Sequence, residues 1–298
     1  MRWSVARPPR GFDSSSRSFG GTLNQMVVPL HWHNEPLLLI SLLMAGWVYA
    51  LGTGPLRARL APPGTHYPSG RAFAFYAGLI ITYLAVGSPL DQFGEDYLFS
   101  VHMVQHLILV YVSPPLLLWG LPWWLVDAAL ARPWVKALAR PFFNPAVCCM
   151  SFILVFALWH LPELYESALR SRPIHILEHA TIFFTALQMW WVFMGPSKVF
   201  PPCNYPVRIL CAFLLTLAHM PILGLLTFSD DPLYRTYELA PRIIPGLDAK
   251  QDQVLGGSVM ELVAAGVSVG LLGWSMWGWM VDDDRRQSRP KPVKANTD

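Results

Sequence analysis

Apolar residues in this chain gather in long blocks rather than at the three-to-four spacing of a soluble amphipathic helix. Blocks free of Asp, Glu, Lys and Arg cover 36–56, 72–90, 97–126, 141–162, 179–197 and 209–229. A last one, 254–281, is interrupted only by Glu261. Crossing the hydrocarbon core of a bilayer takes about 20 predominantly apolar residues in a helix, and these blocks fit that length. The pattern predicts an all-α polytopic membrane protein, a bundle of about seven transmembrane helices. A flexible extracytoplasmic tail is expected at 1–35, the helical domain at 36–281 and a charged, disordered cytoplasmic tail at 282–298. No basic segment followed by an apolar core and a cleavage site is visible, so no removable signal peptide is expected. Pro114-Pro115 and Pro221 fall inside blocks, where neighbouring helices can satisfy the carbonyls they free.

Composition agrees with this pattern. Of 298 residues 53% are hydrophobic and 14% charged, against about 25% charged in soluble proteins. Thirteen tryptophans suit the interfacial belts of a protein bathed in membrane lipid. The net charge of +3 is small, and no basic face interleaved with aromatics exists, so nucleic acid is not an expected partner.

Seven spans would put the termini on opposite faces. Nine basic residues then accompany the N-terminal tail and thirteen the other face, which orients the chain with N outside and C inside. The histidines are sided far more strongly than the charges. His31 and His33 precede the first span, His102 and His106 open the third, and His160 closes the fourth. His175 and His179 open the fifth, and His219 lies in the same half of the sixth; only His66 takes the other side. Asp91, Glu95, Glu163 and Asp252 share the histidine side. The four cysteines lie opposite, where a reducing cytoplasm gives them no reason to pair.

The pairs His102/His106 and His175/His179 each set two imidazoles on one helical face. With His160 and His219 they offer six imidazoles, and imidazole suits copper, zinc, iron and nickel. Met103 and Met220 adjoin two of these histidines, and thioethers select Cu(I), although an unbranched Met is more often a core gap-filler. Asp252 and Glu163 are candidate neighbours of the ion, and His31 and His33 are further candidates from the tail. Two other chemistries remain open. His175-Ile176-Leu177-Glu178-His179 matches the H-x-x-E-H pattern of inverted zinc metalloproteases, a weak signal with only three fixed positions. Bis-histidine b-type haem is the other, with axial ligands from different helices, such as His106 with His179. No phosphate loop or nucleophile elbow anchors any other enzyme class.

Several stretches in order carry a resemblance. They are Val101-His102-Met103-Val104-Gln105-His106 running on to Ser113-Pro114-Pro115 and three leucines, Trp159-His160-Leu161-Pro162, and Pro173-Ile174-His175-Ile176-Leu177-Glu178-His179. Asp252-Gln253, Gly256-Gly257 and Met260 close the set. Over residues 70–280 the chain resembles the caa3-type cytochrome c oxidase assembly factors, the multi-pass CtaG family. The resemblance implies a non-enzymatic protein of the bacterial plasma membrane needed for haem–copper oxidase maturation. It implies copper handling at the outer face, with oxidase subunits or copper chaperones as partners.

Overall fold

The structure, a computed structural model, describes Trp32 and residues 35–288. His31 and His33 of the expected ligand set therefore lie outside the described residues, as does most of each tail. The described residues are helical and connecting segments, without strand.

The helices that position the site are α1 (Pro36–Thr53), α2 (Ser69–Gly87), α3 (Pro89–Asp96), α4 (Phe99–Leu107), α5 (Ser113–Gly120) and α6 (Pro145–Trp159). They continue with α7 (Pro162–Arg170), α8 (Arg172–Met194), α9 (Tyr205–Phe228), α10 (Arg235–Leu239) and α11 (Ala249–Gln287). Their starts follow local chemistry. Proline occupies the first turn of α1, α3, α6, α7, α8 and α9, where its missing N–H costs nothing. Ser88, Asn144 and Asn204 accept hydrogen bonds from first-turn amides, and Asp248 with Gln251 forms a full capping box at α11.

Five helical stretches are long and apolar enough to cross a membrane: 36–53, 69–96, 99–120, 205–228 and 249–287. A sixth is added if Pro133–Phe143 and Pro145–Trp159, bent by 56°, form one broken span. The count is thus five to six rather than the expected seven. The fifth apolar block does fold into a helix, but α8 begins at Arg172 and carries His175, Glu178, His179, Thr185 and Gln188. Those side chains are buried toward the bundle, so the helix is too polar by composition to count. The last helix runs through Gln287, six residues into the stretch expected to be a disordered tail, and Tyr205 donates to Asp282 there at 2.9 Å. At 1.5 Å per residue its 39 residues span about 58 Å, roughly twice the hydrocarbon thickness.

Apolar side chains fill the interior of the bundle and also cover its outer faces. α11 lies against α9 and α4, α8 against α6 and α5, and α2 against α5, while α1 leans on α2. Phe99, Met103, Tyr165, Ile182, Met189 and Phe193 fill the interior. The outward faces carry large apolar side chains such as Leu43, Phe73 and Leu262, 71–78% exposed; such continuous exposed apolar surface is stable only in lipid. The chain is a multi-pass membrane protein.

Between α4 and α5 the ladder widens to a π-helix over Ile108–Val112, and the sequence explains it. Pro114 has no N–H to offer the carbonyl of Val110 four residues back. That carbonyl instead accepts the indole N–H of Trp190 at 2.8 Å, and the Ser113 amide reaches back five residues to Ile108.

Candidate metal centre

Two first turns meet at one end of the bundle. α4 brings His102 and His106, whose Nε2 atoms lie 2.9 Å apart. α8 brings His175 and His179, with ring centroids 4.1 Å apart. Across the helices, His102 stands 5.8 Å from both His175 and His179, and His106 stands 5.2 Å from His179. Ligand atoms from His102, His175, Glu178 and His179 all lie within 4.8 Å of one another. His106 adds its Nε2 at 3.8 Å from the Glu178 carboxylate.

Close backbone approach makes this meeting possible. A Cβ on Gly94 of α3 would stand 3.0 Å from the Cα of His102, and one on Gly256 of α11 would stand 2.6 Å from the Phe99 ring. Glycine at both positions lets α4 sit wedged between α3 and α11. Asp252 fastens the wedge, accepting the Phe99 amide at 2.6 Å, the Ser100 amide at 3.2 Å and the Ser100 hydroxyl at 2.5 Å. It satisfies orphan donors at the start of α4 and complements the helix dipole. That work occupies both its oxygens, so Asp252 positions the histidines rather than facing an ion.

A lid of α7 and α10 closes the end. Tyr165 packs 5.3 Å from His102, its hydroxyl 3.1 Å from that of Tyr237. Tyr237 donates to the Gly94 carbonyl at 2.7 Å, and Tyr234 donates to the His160 carbonyl at 3.0 Å. Burial pushes the phenols of Tyr165, Tyr234 and Tyr237 above their ordinary value, so they stay neutral donors. Glu166 ties the two lid helices together, accepting the Thr236 amide at 2.8 Å and hydroxyl at 3.0 Å and pairing with Arg170. Burial raises the Glu166 carboxyl, but the Thr236 bonds and Arg170 outweigh it and hold the group below its usual value.

Within this enclosure many polar atoms have no hydrogen-bond partner: His102 Nδ1, His106 Nδ1, His175 Nε2, both ring nitrogens of His179 and both oxygens of Glu178. Each unsatisfied buried polar atom costs about 1–3 kcal/mol. Converging lone pairs of nitrogen and carboxylate oxygen are what a metal cation satisfies, so this donor set fits one. His175 shows the supporting arrangement as well, its Nδ1 at 2.5 Å from the Glu95 carboxylate, a carboxylate–imidazole pair of the kind that orients metal ligands.

The other sequence candidates fall elsewhere. His160 and His219 flank the Phe156 ring at 4.4 and 4.9 Å. Each spends Nδ1 on the carbonyl four residues back in its own helix; His219 Nε2 lies 3.3 Å from the Tyr111 hydroxyl, whereas His160 Nε2 is buried without a hydrogen-bond partner. Met103 is a fully buried core residue, and Met220 is 47% exposed on the outer surface of α9. Glu163 is exposed on α7. Sequence reasoning did not put Glu178 among the copper ligands. Its position one turn after His175 on the same face was the available signal. The lid tyrosines and Gly94 carried no comparable mark.

The family model described as cytochrome c oxidase caa3 assembly factor matches residues 47–282. The chain is also similar to uncharacterized proteins of Mycobacterium bovis and Mycobacterium tuberculosis, each 26% identical over 278 residues. These alignments cover 85% of this chain and 40% of each relative, so the chain spans well under half the length of the curated relatives it matches. No solved structure matches.

Proposed function

Because the chain belongs to the cytochrome c oxidase caa3 assembly factor family, we propose that its part in oxidase assembly is to hold copper in transit at the buried histidine cluster. The supporting observation is the convergence of His102, His175, Glu178 and His179 ligand atoms within 4.8 Å, most of them without another partner. Imidazoles bind copper well, while the free cysteines that would hold Cu(I) more tightly lie apart, three of them buried in the apolar core. A nitrogen-rich site without thiolate favours release by ligand exchange, which a cargo requires. In this reading Glu95 fixes the ring of His175, the tyrosine lid excludes water, and no covalent bond is broken. The membrane is the bacterial plasma membrane, with the cluster toward its outer face, where oxidase subunits or copper chaperones deliver or collect the ion.

The test is copper analysis of purified protein beside membranes assayed for oxidase activity. His102→Ala with His179→Ala is expected to lose the copper held at this cluster and the oxidase activity. A double variant that keeps both overturns the proposal.

One observation favours a second reading. His175, Glu178 and His179 have His102 beside them as a further donor, the set a zinc hydrolase of the H-x-x-E-H type needs. Glu178→Gln separates the two, since a hydrolase keeps its metal and loses peptide cleavage, whereas the copper site loses affinity and has no cleavage to lose. Haem fits less well. His106 and His179 stand edge to face at 5.2 Å and 83°, which leaves no slot for a porphyrin plane between axial rings.

A further inference from the structure

A cavity of about 380 Å³ runs alongside the histidine cluster between α1, α2, α3 and α8. Most of its wall is apolar, but its polar stretch is concentrated where Glu35, Arg172, Asp91, Glu95, His175 and His179 line it. Glu35 and Arg172 pair across the starts of α1 and α8. Among these lining residues, ligand atoms of Asp91, Glu95 and His175 come within 4.8 Å of one another. Asp91 is buried, with an oxygen accepting from Gln105 at 2.5 Å, and Glu95 meets His175 Nδ1. His175 Nε2 and both nitrogens of His179 are without a partner, on side chains about 5% exposed.

We propose that Asp91, Glu95 and His175 form a second cation site, an outer station that takes a divalent first-row ion from the cavity and passes it to the inner cluster. Two carboxylates bring the negative charge that draws a cation into a low-dielectric cleft, and mixed oxygen and nitrogen donors suit a borderline divalent ion. His175 belongs to both groups, so transfer needs only exchange of the remaining ligands around it. With both stations filled, His175 serves the outer ion and His102, Glu178 and His179 keep the inner one. The relay rests on the copper-transit reading of the inner cluster, and the stoichiometry below tests the two separately.

Metal-free protein in detergent is loaded with Zn²⁺, desalted and analysed for bound metal. The full chain is expected to retain two equivalents, Asp91→Asn with Glu95→Gln one, and His102→Ala with His179→Ala one, the outer ion. If Glu95 merely orients His175, the full chain retains one equivalent, the carboxylate variant binds it about 10–100-fold more weakly, and the histidine variant retains none; that result overturns the outer station and leaves the inner site standing. A carboxylate variant that still retains two overturns it equally. No metal on the full chain sinks both readings. Asp91 is buried, so Glu95→Gln alone, at the partly exposed position, is measured in parallel and is expected to lose the same equivalent.

Discussion

Replacing Gly256 with alanine tests whether the histidine cluster depends on how tightly α11 presses against α4. In a helix interior the substitution should help, since alanine is favoured over glycine by about 1 kcal/mol. Here the added Cβ would stand 2.6 and 2.8 Å from the Phe99 ring and 3.0 Å from the Ser100 Cα, where carbon contacts prefer about 3.5–4.0 Å. The ring has nowhere to go, being fully buried and packed on Tyr234, Tyr165 and Tyr237. The helices must therefore part by about 1 Å to restore ordinary contact. That displacement stretches the 2.6 and 3.2 Å bonds from the Phe99 and Ser100 amides to Asp252 toward or beyond the range of a hydrogen bond. Overpacking costs about 1–3 kcal/mol, and weakening bonds to a charged carboxylate adds to it. The expected outcome is net destabilisation of about 1–3 kcal/mol and weakened metal binding, because His102 lies one turn beyond Phe99. Gly266 in the same helix is the control, since nothing lies within 4 Å of a Cβ there. Thermal unfolding in detergent and metal titration read both variants. If Gly256→Ala is as well tolerated as Gly266→Ala, the wedge argument is wrong.

Other outcomes follow from single contacts. Trp190→Phe removes the donor that serves the Val110 carbonyl and should cost about 1–3 kcal/mol, read as a lowered melting temperature. His219→Ala should leave bound metal unchanged, because its two ring nitrogens already meet the Leu215 carbonyl and the Tyr111 hydroxyl; loss of metal would place it in the site. The Glu166 carboxyl is held below its usual value, so its tether stabilises the lid above the ordinary carboxylate pKa and is lost as pH falls through the lowered one. Acidification should therefore lower the melting temperature of the unaltered protein more than that of Glu166→Gln, and equal slopes would count against the tether.

Much of the architecture could be read from charge-free blocks, because lipid tolerates few exceptions along a helix that faces it. The same rule misjudged α8. A helix enclosed by α6 and α5 can begin at Arg172, paired with Glu35, and carry Glu178 inward without leaving the bundle. Helix periodicity put His102 with His106 and His175 with His179, and packing of α4 near α8 brought the pairs together. What sequence could not give was the neighbour across each gap. Asp252 sits beside the expected ligands in the pattern yet caps α4, and Met220 lies next to His219 in the chain but, about 100° further round the helix, is turned outward. Asp91 and Glu95, one turn apart on α3, gained meaning only when α8 delivered His175 against them.

The π-helix over Ile108–Val112 amounts to one surplus residue in a rod that is otherwise regular. Such a surplus turns everything before it by about 100° relative to everything after. Seated as α5 is against α2, the upstream half must then aim its imidazoles in a direction that a seamless ladder would not allow. Deleting a single residue from this segment would remove the surplus and swing His102 and His106 out of register with α8. Irregularity here sets the aim of the site.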